Sequence, residues 1–527
     1  MAEKKVIEIQ SIFGGQSPSH YFSAASQYNS GIGIDPDQAI SSTNVKTSGA
    51  IAPTRYEKFS GSEVTGYPMF IITQNKTTNS FVYASDGKFH SFNSSLAMRA
   101  TDEASTSLPI PVTGGTGAGA VYYNNFIYVA EATDISQYGG MDQGASIAMT
   151  ENVWTGAKFG LTALTDVTYP TLNGVEMPNH VMHVHPNNSV YIADSVDGQG
   201  VIHRLKTTET TIEGDTNDGS EFNALDLPFG FYPTCFASWG TDLVIGAIQT
   251  LDSTIDQGKA SLFFWDTFNS SFYREVPLAD TLVTAMTNSG GNLYIWSGSA
   301  QGGSRLSRYL GGESLDEIVF VEDTFPPFAG AIDTLGSRVS WGVTTTYPEA
   351  SVSVYSYGSK TANLPKGLHN TDRSTSAGAN GVMTSLMYVQ QATSEKPKAI
   401  LGWGDDSNKG LDKSSATATF NSVWRSKVFN VNQKFRIDRV KIPFGAALAT
   451  NMSVTPKVYI DNDVATGSAY TAINTTNVAT GAQKRIYKSP DEKQSGFTNF
   501  FLELNFAGTV ALPILLPIEI EIELLDE

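Results

Sequence analysis

Three histidines fall in one apolar stretch, His180-Val181-Met182-His183-Val184-His185. Successive side chains on a strand alternate in direction, so His183 and His185 share a face and could offer two imidazoles to a cation. No third ligand can be placed from spacing, and polar residues lining a channel or a loop are the expectation. Asp215-Thr216-Asn217-Asp218-Gly219 is similar to a calcium loop. It is one residue short of the spacing that aims alternate oxygens at one ion, and no glutamate closes it. An exposed acidic turn is expected there, as at Asp405-Asp406-Ser407-Asn408 and Asp461-Asn462-Asp463.

The other reactive types are sparse. Cys235 is the single cysteine and lies in the apolar run Phe231-Tyr232-Pro233-Thr234-Cys235-Phe236, with no basic neighbour to favour a thiolate. A small buried hydrophobe is expected. Ser85-Asp86-Gly87-Lys88-Phe89 superficially resembles the aspartate box of sialidases, but the register that ends in tryptophan is missing. Paired carboxylates of a propeller glycosidase would come from separate blades, where sequence spacing is uninformative. The sequence has no nucleophile elbow, phosphate-cradling loop or Cys-x-x-Cys pair. No catalytic, cofactor-binding or metal-binding residue is assigned, no cofactor is expected, and the chain is not expected to be an enzyme.

The elements that would carry these residues are strands. Of 527 residues, 48 are glycine and 22 proline, 11% are aromatic and only 16% charged, against about 25% charged in an ordinary soluble domain. In Asn288–Leu310, Gly290-Gly291 supplies a tight turn and Leu293-Tyr294-Ile295-Trp296 a buried strand. A small-residue loop, Ser297 to Gly303, leads into the half-exposed strand Arg305–Leu310. This unit recurs as Phe81–Ala84, Ile127–Ala130, Val190–Ala193, Leu243–Gly246, Val339–Gly342 and Ala399–Gly402. Counting its own position, the spacings are 46, 63, 53, 50, 46 and 60 residues, within or somewhat above the ~40 to 50 of propeller repeats. Apolar strands precede the unit, as in Leu282–Met286 and Cys235–Trp239, and outer strands follow, as in Ser261–Asp266 and Val352–Tyr357. The pattern predicts an irregular β-propeller of about seven blades over 56–412, and Tyr294 and Trp296 as blade-to-blade packing.

The recurrence stops near Lys409–Ser415. Residues 416–527 have longer, alternating strands, which predict a β-sandwich, as a jelly roll. In Lys434–Ile442 the apolar parity slips once, at Asp438-Arg439, as a bulge would cause. Ile518–Leu524 alternates apolar residues with three glutamates, which fits a charge-protected edge strand. Residues 1–55 lack a sustained period and read as an extended arm that takes its order from something else, or as an irregular strand plus linker. The whole is an all-β chain.

Charge and targeting narrow the partners. Fifty-two acidic against 34 basic residues leave a formal charge of −18, opposite to a nucleic-acid footprint, so direct nucleic-acid binding is not expected. Met1–Gly15 has no apolar core of a secretory signal, and no stretch reaches the ~20 apolar residues of a membrane span. Folding in a cytoplasm is the expectation.

The arm segments Gly31-Ile32-Gly33-Ile34-Asp35-Pro36-Asp37 and Gly49–Tyr56, the divergent propeller, and Phe435-Arg436-Ile437-Asp438 with Leu515–Glu521 together resemble the virion structural proteins of tailed bacteriophages. The resemblance spans the chain in architecture, without a diagnostic motif, and carries over no active-site residue. It implies a non-enzymatic tail or neck component, nozzle-like, that assembles into a homo-oligomeric ring, contacts copies of itself and other virion proteins and is assembled in the host cytoplasm. The alternatives are a carbohydrate- or receptor-binding propeller of the tail that meets a host-surface glycan, with Trp154, Trp239, Trp265 and Tyr309 as stacking aromatics, and a propeller glycosidase.

Overall fold

The computed structural model is all-β, and no helix occurs among the described residues. These are residues 3–12, 14–17, 27–36, 51, 54, 56–58, 66–73, 80–83, 89–92, 119–124, 126–130, 135–139, 150–154, 169–205, 221–249, 258–322, 324–345, 350–358, 367–378, 380–389, 398–405, 407–415, 420–444, 452–460, 469–470, 475–476, 485–488, 495–508, 514 and 516–525.

Among the described residues, seven sheets follow one another along the chain, and each places the recurring apolar run on its second strand. Those second strands are Ser80–Tyr83, Phe126–Ala130, Ser189–Val196, Asp242–Ile248, Asn292–Gly298, Arg338–Thr345 and Lys398–Gly404, which we call blades 1 to 7 in that order. The innermost strands touch in a closed cycle, from Phe70–Thr73 through Ala120–Tyr123, Met182–His185, Tyr232–Trp239, Leu282–Ser289 and Ile332–Leu335 to Val382–Val389, which returns to Phe70–Thr73. This is a seven-bladed propeller. The physical reason for the apolar second strand is that a blade buries both faces against its neighbours. In blade 5, Leu293 to Gly298 are all buried, and the Trp296 ring lies 5.7 Å from that of Trp341 in blade 6. Gly290 and Gly291 have φ of 59° and 79°, the turn that a two-residue hairpin needs and that L side chains resist.

Blade 7 is completed from the other end of the chain. Tyr56–Lys58 pairs antiparallel with Lys409–Ser414 as the outermost strand, so the ring is fastened by its own first residues. Tyr56 is buried, its hydroxyl donates to Asp372 Oδ1 at 2.5 Å, and its carbonyl accepts from Thr375 Oγ1 at 2.8 Å.

Among the described residues, the C-terminal body is one continuous ten-stranded ladder folded over a single core. Its spine runs Lys4–Ile9, Ile518–Leu524, Phe429–Pro443, Ser495–Gly508, Phe420–Arg425, Ser30–Ile32. The long strands Phe429–Pro443 and Ser495–Gly508 each pair with several partners, which lets the ladder turn over and enclose Ile437, Val440, Val454, Leu502, Phe506 and Ile520. The ladder register shifts between Ile437 and Arg439, at the parity slip seen in the sequence.

Two expectations are corrected. Ile518–Leu524 is no edge: it lies between Lys4–Ile9 and Phe429–Pro443. Its glutamates face a basic row, with Arg436 donating to Glu523 at 2.6 Å, Arg439 3.8 Å from Glu521, and Lys441 bonded to Glu519. The glutamates match the alternating cations of the neighbouring strand. The described part of the segment before residue 55 takes its order from its own chain: Lys4–Ile9 and Ser30–Ile32 join the C-terminal ladder, Gly15–Gln16 runs parallel to blade 6 at Leu368, and Ile51 bridges to Ile514. Runs of two or three paired residues carry no readable period.

Candidate functional site

The histidine stretch enters blade 3 and anchors a cap on the propeller channel. The hairpin Thr171–Leu172 and Val175–Glu176 precedes blade 3 in sequence, yet Leu172 and Asn173 line a narrow crevice with Phe325 and Phe328 beside blade 6, Val343 of blade 6 and Met383 of blade 7. Blades 6 and 7 stand across the ring from blade 3, so the hairpin crosses the central opening. Alternation along it buries Leu172, Val175 and Met177 in a core shared with blades 1, 2, 4, 5 and 7 and leaves Thr171 and Asn173 exposed. Tyr169 fixes its base through a 3.1 Å hydrogen bond to Pro233 O of blade 4, and Glu176 Oε1 accepts from Tyr169 N at 3.1 Å. Burial raises the Glu176 carboxyl, and the Tyr169 N–H opposes that rise.

Below the hairpin, Asp194 on the second strand of blade 3 accepts from His180 Nε2 at 3.2 Å, His203 Nε2 at 3.1 Å and Ser195 N at 2.7 Å. His203 Nδ1 accepts from Asn223 N at 3.0 Å, which places the His203 proton on Nε2, facing the carboxylate. Burial raises the Asp194 carboxyl, but the hydrogen bonds from His180 and His203 outweigh it and hold the group well below the usual carboxylate range. A catalytic histidine oriented by a carboxylate needs its second nitrogen free for substrate. On His203 that nitrogen is taken by the backbone, and His180 Nδ1, which has no hydrogen-bond partner, is buried away from any substrate, so the cluster works as a buried rivet between the entry loop and two strands.

His183 and His185 do share a face, their ring centroids 6.5 Å apart. His183 Nε2 meets Ser238 Oγ of blade 4 at 2.8 Å, and His185 Nδ1 accepts from Asn187 N at 3.2 Å. Burial, reinforced by His185, lowers the His183 pKa to about 4, so His183 is neutral packing at a blade interface. Among the described residues, no three His, Cys, Asp or Glu side chains converge as metal ligands would.

The second constellation is the joint between propeller and C-terminal body, built on Gly31–Pro36. Gly33 has φ 66°, and a Cβ there would stand 2.9 Å from Ser422 Oγ, so only glycine threads this gap without strain. Gly33 N donates to Asn370 Oδ1 at 3.2 Å and Ile34 N to Asn370 O at 2.9 Å. Asp35, fully buried, meets Arg338 Nη1 of blade 6 at 3.2 and 3.3 Å. Tyr28 lies between the two bodies, its hydroxyl 3.0 Å from His369 Nδ1 and its ring 6.1 Å from Trp424. Burial and the nearby Arg338 charge lower the His369 pKa to about 3, although Asp35 opposes. Directly between the bodies, Arg373 Nη1 donates to Asn421 O at 2.8 Å.

The remaining sequence candidates are dispersed. Cys235 is buried and unpaired, and burial pushes its thiol up to about 12. Asp405 closes a turn: burial raises its carboxyl, but the N–H groups of Asn408 and Ser407 outweigh that and lower it. Asp215–Gly219, Asp406, Asp461–Asp463 and Ser85–Lys88 lie outside the described residues. Trp265 and Tyr309 are core, and Trp239 packs edge-on to Tyr309 at 4.9 Å. The Trp154 side chain lies outside the description, while its backbone ends the outer strand of blade 2. Asp194, His203 and Arg338 were not singled out from sequence. Their one signal is a charged residue in or beside an apolar strand run, Val190-Tyr191-Ile192-Ala193-Asp194 and Arg338-Val339-Ser340-Trp341, where burial requires a partner.

No helix is long and apolar enough to cross a membrane, among the described residues. No protein-family model and no curated protein matches the sequence. Solved structures similar to the chain include the β-propeller domain of Cps50 (Swd1) from Myceliophteria thermophila, at 10% identity over 69% of this chain and 100% of that one, TM-score 0.40. The Dos1 propeller matches at 12% identity over 69% and 94% of the two chains, TM-score 0.40. Luciferin-regenerating enzyme matches at 9% identity over 60% and 99%, TM-score 0.36. Such likenesses carry no argument about function, and the propeller itself rests on the closed cycle of seven sheets.

Proposed function

We propose that this chain is a non-enzymatic structural component of a tailed-bacteriophage virion, a homo-oligomeric, nozzle-like part of the tail or neck. The observation that supports it is the path of the N-terminal segment, which forms strands in the C-terminal ladder, threads Asp35 to Arg338 of blade 6, and closes blade 7 with Tyr56–Lys58. A part that must keep its shape in a particle needs its two bodies fixed to each other, and this segment fixes them. The buried carboxylates serve the same end: Asp412 accepts from Trp403, Ser374 and Thr375, as Asp194 does from its histidines. The hairpin Thr171–Glu176 buries Leu172 and Val175 among residues of several blades, where a propeller glycosidase would gather its carboxylates. Glycan stacking would have to use aromatics other than Trp265 and Tyr309, which are core. Immunogold electron microscopy and mass spectrometry of purified particles test the proposal. Label at the tail or neck in multiple copies per particle is expected, and a chain absent from the particle overturns it.

A further inference from the structure

The strand Lys4–Ile9 ends the C-terminal ladder: among the described residues it pairs on one side only, with Ile518–Leu524. An open edge presents a row of backbone donors and acceptors, and charges of one sign commonly guard it. Here the pattern differs. Along the face shared by Lys4, Val6 and Glu8, the two ends carry opposite charges and the middle carries an apolar side chain that is 50% exposed. Read in the antiparallel sense against itself, with Val6 opposite Val6, the strand sets Lys4 opposite Glu8 at both ends, where Lys4 Nζ also meets Asp438 Oδ2 at 3.0 Å and Glu8 accepts from Gln10 Nε2 at 2.9 Å within the chain. The pairing keeps like faces together, so the ladder would continue through a two-fold axis normal to the sheet. Beyond Glu8, a small groove lies along the same edge, lined by Ile9, Ser11, Ile12, Lys427 and Phe429 among others.

We propose that Lys4–Ile9 is a self-association edge, and that its occupant is the same strand of a second copy of this chain in antiparallel register centred on Val6. The contact is isologous and closes on itself, giving a dimer in place of an open fibre. It deepens the reading as a self-assembling structural part, but is tested on the purified chain, independently of any particle.

Cys235 is buried, so an introduced thiol is the only accessible one among the described residues. Under mild oxidation Val6→Cys is expected to give a covalent dimer as the main product. Lys5→Cys, which meets Ile7 across the axis, should give at least tenfold less. Sedimentation of the wild-type full chain should show a dimer. Glu8→Lys sets a second ammonium against Lys4 across the axis and should sediment as a folded monomer that melts in a cooperative transition. A wild-type monomer at tens of micromolar, equal cross-linking of the two cysteine variants, or a Glu8→Lys dimer would each overturn the proposal.

Discussion

Trp296 and Asp35 are both fully buried, and they hold their surroundings by opposite means. Trp296 in blade 5 packs on Trp341 of the next blade, in a core cluster with Val339 and Tyr355, and such packing needs only an apolar side chain of about the right size. Asp35 meets one guanidinium, on a segment whose neighbouring backbone groups are bonded one by one to Asn370 and, through Asn29, to Arg425 O. The ring is therefore held by many interchangeable contacts and the joint by a few specific ones. Loss of a blade contact should weaken one blade interface. Loss of a joint contact should release two bodies from each other.

The largest effects would come from breaking one residue of each kind. Asp35→Ala leaves Arg338 buried without that carboxylate and should cost about 3–5 kcal/mol. Trp296→Ala should cost about the same, ~3–5 kcal/mol, through the cavity it leaves. Denaturant unfolding separates them: Asp35→Ala is expected to split the transition into a propeller phase and a C-terminal phase, whereas Trp296→Ala lowers a single midpoint. A smaller change sharpens the account of ring closure. Tyr56→Phe leaves Asp372 Oδ1 without its 2.5 Å donor and should cost about 1–3 kcal/mol. Exchange should quicken in Lys409–Ser414, the strand that Tyr56–Lys58 covers, ahead of the other blades.

The joint should also be sensitive to acid. His369 in the folded chain resists protonation down to about pH 3, while in the unfolded chain it titrates near its ordinary value of about 6.5. Its contribution is thus full above about pH 6.5 and falls as pH drops towards 3, by about 1.4 kcal/mol per unit for one such group. His183 acts in the same sense between about 6.5 and about 4, reduced because its side chain is partly exposed. Asp194 is depressed and matters only further down, where stability is lost as pH falls below the ordinary carboxylate range. Chemical denaturation across pH 3–7 should therefore give a flatter slope for His369→Asn than for the wild type, and equal slopes would contradict the assignment.

The ring was legible because its recurring feature is local. Runs such as Leu293–Trp296 and Val190–Ala193 are apolar and β-branched or aromatic whatever their neighbours, so each marks the second strand of a blade. The bulge at Asp438-Arg439 showed for the same reason, since strand parity is a local property. The joint and the cap were not legible. Gly15–Gln16 and Ser30–Ile32 are too short to carry a period, and their partners Leu368 and Trp424 lie more than three hundred residues away in sequence. The glutamates of Ile518–Leu524 suggested an edge because Arg436, Arg439 and Lys441, which neutralise them, sit on a distant strand. His180 was noticed for its neighbours His183 and His185, while its actual partner, Asp194, comes from the next strand.

The central claim is that the N-terminal segment couples the propeller to the C-terminal body. Native-state hydrogen exchange on the Asp35→Ala variant tests it most directly, read at Leu368–Arg373 in blade 6 and at Phe420–Arg425 in the C-terminal ladder. Coupling predicts that both strands lose protection together and by similar factors, while Asn292–Gly298 in blade 5 keeps its own. Loss confined to blade 6, with Phe420–Arg425 unchanged, would contradict it.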